Sequence, residues 1–282
     1  MMATPTLPID SRTAVQSDSS APALAFDNVS IAFEENVVLD GVSFQLPRGE
    51  TKALFGIAGS GKSTILKLAM GLLPPDSGRI VLLGEEVTRM SEQELFELRR
   101  RVGIVFQESA LFDSLTVREN VAFRLMEERI SAEEIERRVR EVLRFVELEQ
   151  TVDMYPSELS GGMRRRVAIA RAIITQPEVI LYDSPTGGLD PVTSNTIVEL
   201  VMKQRDVYRT SALLVTHRLQ DAFTMATHQF DKDTNQMTAL PKGKLCDVSM
   251  SFLILSDGKV IFDGDAHQLA TSRDPYIREY IS

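Results

Sequence analysis

The residues best suited to chemistry begin with the octapeptide GIAGSGKS, residues 56–63, which has the spacing GxxxxGK[ST]. An apolar run precedes it and a helical pattern follows it, which is the context that this motif requires. Its glycines allow backbone N–H groups to close around phosphate oxygens, and the N-terminus of the following helix adds positive potential. We expect Lys62 to contact the β- and γ-phosphates and Ser63 to bind Mg²⁺. The residues predicted to contact the nucleotide here are Gly56, Ile57, Ala58, Gly59, Ser60, Gly61, Lys62, Ser63 and Thr64.

A carboxylate that can share this metal ion ends a second apolar run, EVILYD, at Asp183. At the end of a strand, an aspartate can hold Mg²⁺ directly or through water without entering the core. A lone aspartate in this place is usually a turn former, but the phosphate loop upstream favours the metal role. The two features together still leave kinases, GTPases and many ATPases open.

Further motifs separate these classes. The stretch LSGGM at 159–163 precedes RRRVAIARAII, while Gln107 lies in IVFQ, Asp190 in GGLDP and His217 in LLVTH. Together with the phosphate loop they resemble the ATP-binding subunits of ABC transporters, and the motif order of that family extends over residues 23–270. A joint match of this kind is far more specific than the phosphate loop alone.

The resemblance implies a head-to-tail dimer, a homodimer or a heterodimer, in which each ATP lies between one phosphate loop and the partner's LSGGM signature. It also implies that Phe33 stacks on adenine, that Gln107 binds Mg²⁺ and links it to the permease contact, and that Asp190 communicates across the dimer. His217 would sense the γ-phosphate. The signature residues expected at the nucleotide are Ser160, Gly161, Gly162 and Met163. The first three open a helix, so their N–H groups and the helix dipole can meet a phosphate.

A narrower resemblance lies in ALFDSLTVRENVAF at 110–123, in Met163 replacing the usual glutamine of the signature, and in the C-terminal DPYIREYIS. These stretches look like the ATPases of Mla-type systems, which move phospholipids or other lipids together with MCE-domain proteins. The implied partners are a transmembrane permease and an MCE-domain lipid-binding protein. The implied location is the cytoplasmic face of the inner membrane, where the permease would hold the chain peripherally.

One position departs from the family, because Ser184 follows Asp183 where the family has a glutamate that orients or deprotonates the attacking water. A hydroxyl can hydrogen-bond water but is too weak a base near pH 7, and loss of a general base costs about 10²–10⁴ in rate. Three explanations stay open. Ser184 with His217, or a carboxylate such as Glu108, positions the water; the chain is a degenerate subunit that lends its signature to an active partner; or it is an ATP-gated clamp that hardly turns over.

Composition limits the other function classes. The chain has 282 residues, a net charge of −9 and a single cysteine, Cys246, so an internal disulfide is excluded. The acidic balance argues against a nucleic-acid partner, since phosphate neutralisation needs clustered Lys and Arg. Arg164, Arg165 and Arg166 form the local exception, and such a run is more often a solvated helix face than a binding patch.

The elements that must position these residues follow an α/β pattern. Three short strands lead into the phosphate loop and suggest an antiparallel entry, and alternating strands and helices after residue 171 imply a mostly parallel sheet. We therefore predict a P-loop NTPase (RecA-like) core with an antiparallel β subdomain and an inserted α-helical subdomain. The predicted units are a disordered tail at 1–22, an ATPase domain at 23–270 with core segments 23–92 and 171–270 and a helical subdomain at 93–170, and a C-terminal tail at 271–282.

Residues 227–250 form a second departure, because relatives usually cross this gap in a few residues. Long surface insertions cost little free energy, so a simple elaboration of the surface is the ordinary interpretation. The sharper hypothesis is a docking edge for a small regulatory subunit or for the other ATPase subunit.

Overall fold

The computed structural model describes residues 21–128, 130–231, 234, 236–241, 250–274 and 277–278. The disordered tail predicted at 1–22 lies outside these ranges except for its last two residues. Cys246, half of the predicted C-terminal tail and residues 242–249 of the insertion also lie outside them.

The described chain alternates strands and helices. Its strands are β1 (Leu24–Phe33), β2 (Asn36–Leu46), β3 (Thr51–Gly56), β4 (Ser77–Leu82), β5 (Glu85–Glu86), β6 (Val102–Val105), β7 (Val179–Asp183), β8 (Ser211–Val215), β9 (His228–Asp231), β10 (Gln236–Ala239), β11 (Met250–Ser256) and β12 (Lys259–Asp265). Its α-helices are α1 (Lys62–Ala69), α2 (Glu92–Arg99), α3 (Val117–Ala122), α4 (Ala132–Phe145), α5 (Gly161–Ile173), α6 (Pro191–Tyr208), α7 (Leu219–Thr227) and α8 (Ala266–Thr271). Among these described residues, no helix combines the length and the apolar character needed to cross a membrane.

The main sheet has six strands in the order β12-β11-β3-β8-β7-β6. The five from β11 to β6 are parallel, and only β12 is antiparallel to its neighbour. This arrangement confirms the predicted α/β core. Because parallel strands have their carboxyl ends at one edge, the loops after β3, β6, β7 and β8 all begin there.

A second sheet, in the order β2-β1-β4-β5, is antiparallel throughout and confirms the predicted antiparallel entry. Its inner face contributes Phe26 and Phe44, whose rings stack with centroids 4.8 Å apart. The hairpin of β1 and β2 ends with Phe33 paired to Asn36. The sheet therefore places Phe33 at the turn between β1 and β2.

Two hydrophobic cores flank the main sheet, and β7 shows how one strand serves both. Ile180 and Tyr182 belong to the core that includes α4, α5 and α6, whereas Val179 and Leu181 belong to the core shared with α1 and the antiparallel sheet. Side chains of a strand alternate between its faces, so a strand buried on both sides is apolar along its whole length.

The predicted start of the helical subdomain at residue 93 is wrong, because β6 lies inside the predicted range 93–170 yet pairs with β7 in the main sheet. Its sequence, VGIV, is only four residues long and gives little periodicity to recognise. The predicted end at 170 also cuts α5, which continues to Ile173. The helices α3, α4 and α5 lie between Gln107 and Ile173.

The insertion begins as a hairpin of β9 and β10 that is fixed to α6. Arg205, only 2% exposed, donates to the carbonyl oxygens of Met225 and His228 and pairs with the Asp206 carboxylate. Asp206 also accepts from the backbone N–H of Phe230 at 2.7 Å. The base of the insertion is therefore a built part of the fold.

Replacing Arg205 with methionine should lower the free energy of unfolding by about 3–5 kcal/mol, because it removes the cationic partner of the Asp206 carboxylate and the donor to the carbonyl oxygens of Met225 and His228. Urea denaturation measures this as a lower midpoint at unchanged slope. Arg140→Met removes an exposed ion pair with Glu136 and should leave the midpoint nearly unchanged. Equal midpoints for the two variants would contradict the anchoring role.

Candidate functional site

The phosphate loop follows β3 directly and is shaped by two crowded glycines. A Cβ on Gly56 would lie 2.3 Å from Ser60 Oγ, and one on Gly61 would lie 2.7 Å from Leu39 Cδ2. Gly61 also has a φ of +93°, in the left-handed region that side chains disfavour. These positions need glycine, which lets the loop fold into a tight cradle of the kind that binds phosphate.

Lys62 lies across this loop. Its ammonium group donates to the carbonyl oxygens of Gly56 at 2.8 Å and Ile57 at 2.7 Å, and to Ser60 Oγ at 3.3 Å. Burial lowers the pKa of Lys62, and the nearby Asp183 carboxylate opposes that shift. The N-cap residue of α1, Gly61, offers no side-chain acceptor to the first amides of the helix. A cation and free amide donors therefore face the same loop, which fits a polyphosphate.

Two of the three predicted metal ligands, Ser63 and Asp183, are in contact. Ser63 Oγ donates to Asp183 Oδ2 at 3.1 Å, although 120 residues separate them in sequence. A hydroxyl and a carboxylate oxygen in contact are the hard donors that Mg²⁺ prefers. The residues present therefore fit Mg²⁺.

Gln107 and His217 reach the same edge from neighbouring strands. Gln107 lies two residues after Val105, which is paired with Tyr182 at the end of β7. His217 lies two residues after Val215, which is paired with Asp183. Both are exposed. The structure thus brings together the edge that carries Asp183 and the loops that carry Gln107 and His217.

Ser184 is 5% exposed and holds a strained turn with a φ of +46°. Its N–H donates to the carbonyl oxygen of Val215 at 2.9 Å, and its own carbonyl accepts from the N–H of Gly187. A Cβ on Gly187 would lie 3.4 Å from Ser184 Cβ and 3.6 Å from the Gln107 side-chain amide carbon. Gly187 therefore lies between Ser184 and Gln107.

Glu108, the other carboxylate considered for the water, is exposed and its charge acts on Arg165. Burial lowers the pKa of Arg165, and the charge of Glu108 partly restores it. This electrostatic interaction with Arg165 gives Glu108 a role that does not require contact with water at the site.

The signature opens α5 as predicted. Ser160 is the N-cap residue, and its hydroxyl accepts from the N–H of Met163 at 3.3 Å. A Cβ on Gly162 would lie 2.3 Å from Thr193 Cγ2, so only glycine allows α5 to approach α6 this closely. Gly161 is exposed. The N-terminus of α5 therefore faces outward beside α6, open to a second molecule.

Asp190 begins α6 as its N-cap residue. Its carboxylate accepts from the N–H groups of Val192 and Thr193, both at 3.0 Å, and from the Thr193 hydroxyl at 2.5 Å. These hydrogen bonds lower the pKa of Asp190, and the bond from the Thr193 hydroxyl has the largest effect. Because Thr193 also packs on Gly162, Asp190 and the signature share one corner of the molecule.

Phe33 is 46% exposed at the end of the β1–β2 hairpin. The next residues of β2 approach the phosphate loop, where Val38 O would lie 3.1 Å from a Cβ on Gly61. An exposed aromatic ring is what stacking on a base requires.

The solvated helix face expected for the arginine run is wrong, because its members bind backbone carbonyls. Arg165 is 6% exposed and donates to the carbonyl oxygens of Phe106 at 2.9 Å and Gly187 at 3.1 Å. It therefore ties the residue before Gln107 to the turn beside Ser184. The sequence held a signal for this role, since Arg165 shares a helical stripe with the apolar Ile169 and Ala172.

Known proteins resemble this chain in sequence. The family model described as ABC transporter matches residues 39–187. The protein TRIGALACTOSYLDIACYLGLYCEROL 3, chloroplastic, of Arabidopsis thaliana is 38% identical over 88% of this chain and 70% of its own length. The intermembrane phospholipid transport system ATP-binding protein MlaF of Escherichia coli is 32% identical over 90% of this chain and 86% of its own. The methionine import ATP-binding protein MetN 2 of Bacillus cereus is 35% identical over 84% of this chain and 68% of its own length.

A solved structure resembles the fold as well. It is a dimeric ATP-binding cassette in a post-hydrolysis state, bound to ADP and Pi, with a TM-score of 0.72 and 30% sequence identity. The match covers 86% of this chain and 98% of that one. The likeness therefore extends over nearly the whole cassette.

Replacing Gly61 with alanine should weaken nucleotide binding roughly 10-fold or more, because Cβ contacts with Leu39 and Val38 force the phosphate loop open. Titration of a fluorescent ATP analogue measures the affinity. Gly84 is the matched control, since it has a φ of +88° with open space around its Cβ position, and Gly84→Ala should leave the affinity unchanged. Equal losses in both variants would indicate general destabilisation and not a shaped loop.

Proposed function

The chain belongs to the ABC transporter family and is an ATP-binding subunit, and on that premise we propose that it binds and hydrolyses MgATP to drive transport of phospholipid or another lipid. The observation that carries the proposal is the Ser63–Asp183 contact, which joins the phosphate loop to the end of β7. Ser63 directly follows Lys62, whose ammonium group lies across the phosphate loop, and the loops that carry Gln107 and His217 begin at the same edge of the sheet.

The chain's own groups divide the chemistry of phosphoryl transfer between them. Lys62 and the amides at the start of α1 bind the phosphates, and Ser63, Gln107 and Asp183 hold Mg²⁺. Bound Mg²⁺ supplies neutralisation of the negative charge that shifts between phosphate oxygens. His217 contacts the γ-phosphate from the loop after β8. Ser184 donates to, or accepts from, the attacking water, and His217 helps to hold that water in line.

A second copy of the chain, or a related ATPase subunit, completes each site. The exposed N-terminus of α5 offers amides and Ser160 to the γ-phosphate of its partner. The similar cassette that is dimeric with ADP and Pi supports a dimer for this chain. A transmembrane permease is the partner that would hold the dimer at the membrane.

Lipid is the cargo we favour over an amino acid. The name of MlaF refers to intermembrane phospholipid transport, and the stretch at 110–123 with Met163 resembles that group. The name of MetN 2 refers to methionine import, at similar identity. MlaF matches 86% of its own length and MetN 2 only 68%. An MCE-domain lipid-binding protein and a small regulatory subunit are the further partners that a lipid role implies.

A second candidate function follows from Ser184 itself. Without a carboxylate at this position, the chain can bind MgATP and close a dimer while hydrolysis stays slow. It would then regulate or assemble a membrane complex, or would lend its signature to an active partner subunit. The strained, buried turn at Ser184 is compatible with this reading, since it positions no base.

Replacing Lys62 with alanine should weaken MgATP binding about 10- to 100-fold, since a hydrogen bond to a charged group contributes roughly 1.5–3 kcal/mol. Isothermal titration calorimetry gives the affinity directly. Lys67, exposed on the same helix, is the matched control, and Lys67→Ala should bind like the wild type. Wild-type affinity in the Lys62→Ala protein would contradict the assignment of the phosphate loop to nucleotide binding.

The cargo is tested with the chain and its copurifying permease in proteoliposomes. We expect MgATP to move a fluorescent phospholipid between membranes and to cause no accumulation of methionine in the vesicles. The same complex with Lys62→Ala measures the movement of phospholipid and methionine that does not depend on ATP. Methionine uptake that depends on MgATP, with no lipid movement, would contradict the lipid assignment and leave the ATPase assignment intact.

A further inference from the structure

A buried line of polar contacts joins the segment that follows Ser184 to the segment that carries His217. Thr186 Oγ1 donates to Asp221 Oδ2 at 2.6 Å, and the other carboxylate oxygen of Asp221 lies 3.6 Å from Arg218 Nε. Thr186 is 2% exposed and Asp221 5%. Because Arg218 directly follows His217, one carboxylate holds both segments.

Arg218 extends the line to α6. Its guanidinium group donates to Ser194 Oγ, and the Ser194 hydroxyl donates to the carbonyl oxygen of Leu189 at 3.4 Å. The backbone N–H of Arg218 donates to Thr216 Oγ1 at 3.0 Å. The arginine beside His217 is thereby connected to the residue that precedes Asp190.

The surroundings make this line stiff. Ser194 and Thr216 are buried, and Asp221 occupies the first turn of α7. A buried carboxylate that loses a partner leaves an uncompensated charge, so the contacts break only at a high cost in free energy. Neither Thr186 nor Asp221 belongs to the sequence motifs that bind nucleotide, and their burial removes them from solvent.

We propose that Asp221 is a positioning residue that sets where His217 stands relative to Ser184 and Asp190. The inference rests on the proposed function, because it assigns His217 to the γ-phosphate. Asp221 acts through Thr186 on one side and Arg218 on the other. It lets the segment at 184–190, which lies beside the signature, shift together with the loop of His217.

The first test reads His217 directly and needs no turnover. The chain has three histidines, His217, His228 and His267, so the imidazole resonances are few and loss of one peak in His217→Ala assigns it. We expect Asp221→Asn to shift or broaden the His217 resonance and to leave that of His267 in place. Thr186→Val, which removes the donor and keeps the shape, should do the same, and Thr186→Ser should restore the wild-type peak.

The matched control is Asp206→Asn, since Asp206 is also a buried carboxylate paired with an arginine. Arg205, which pairs with Asp206, also donates to the carbonyl oxygen of His228. Loss of the Asp206 charge should therefore shift the His228 resonance and leave that of His217 in place. A His217 resonance that is unchanged in Asp221→Asn, or that moves equally in Asp206→Asn, overturns the proposal.

The second test measures kinetics in the wild-type chain and in a Ser184→Glu background. Asp221→Asn should lower kcat about 10- to 100-fold, as expected for a misplaced catalytic group, with the Kd for MgATP changed less than about 2-fold. Adding His217→Ala to Asp221→Asn should lower kcat little further, because both changes remove one function. Additive losses would overturn the proposal. If neither background turns over, the proposed ATPase function fails, and the resonance of His217 still decides the positioning role.

Discussion

The register of four parallel strands is the constraint on which the candidate site depends. Because β3, β8, β7 and β6 lie side by side, their carboxyl ends meet at one edge of the sheet. The pairing of Asp183 with Val215 places the end of β7 beside the loop of His217. The Ser63–Asp183 contact then fixes the phosphate loop against that edge. A slip of one residue would turn Asp183 toward the opposite core, since strand side chains alternate between faces.

The site has the groups expected to bind MgATP but lacks the carboxylate expected to activate water for hydrolysis. The groups that bind phosphate and metal are backbone amides, a lysine, a hydroxyl and a carboxylate, and all of them are present. The group that would activate water is reduced to the hydroxyl of Ser184, which is buried in a left-handed turn. Lysine, amide and metal contacts can bind the nucleotide and stabilise charge in the transition state, whereas hydrolysis also needs a correctly placed water. The rate of the proposed hydrolysis would therefore depend on how well His217 and Ser184 together position that water.

Much of this could be predicted from the sequence. The phosphate loop, the N-cap residues Ser160 and Asp190, and the strand before Asp183 have local signatures, because capping and burial act within a few residues. The strand β6 was missed because four residues carry almost no periodicity. The Thr186–Asp221–Arg218 line depends on packing between segments distant in sequence, and no local pattern encodes it. The inward direction of Arg165 had a local signal in its helical stripe, but the carbonyl groups that it binds lie far away in sequence. The described hairpin of the insertion was likewise missing from the prediction, since its anchor on Arg205 is tertiary.

The most direct test of the account is steady-state phosphate release by the purified chain with its copurifying membrane partner, alongside Ser184→Glu and His217→Ala variants. The Lys62→Ala protein, prepared in the same way, measures contaminating ATPase. The account predicts release by the wild type above that background, and a fall of about 100-fold or more in His217→Ala. Release by Ser184→Glu alone, with a wild-type chain that binds MgATP and does not turn over, would contradict it and would favour the ATP-gated or asymmetric subunit.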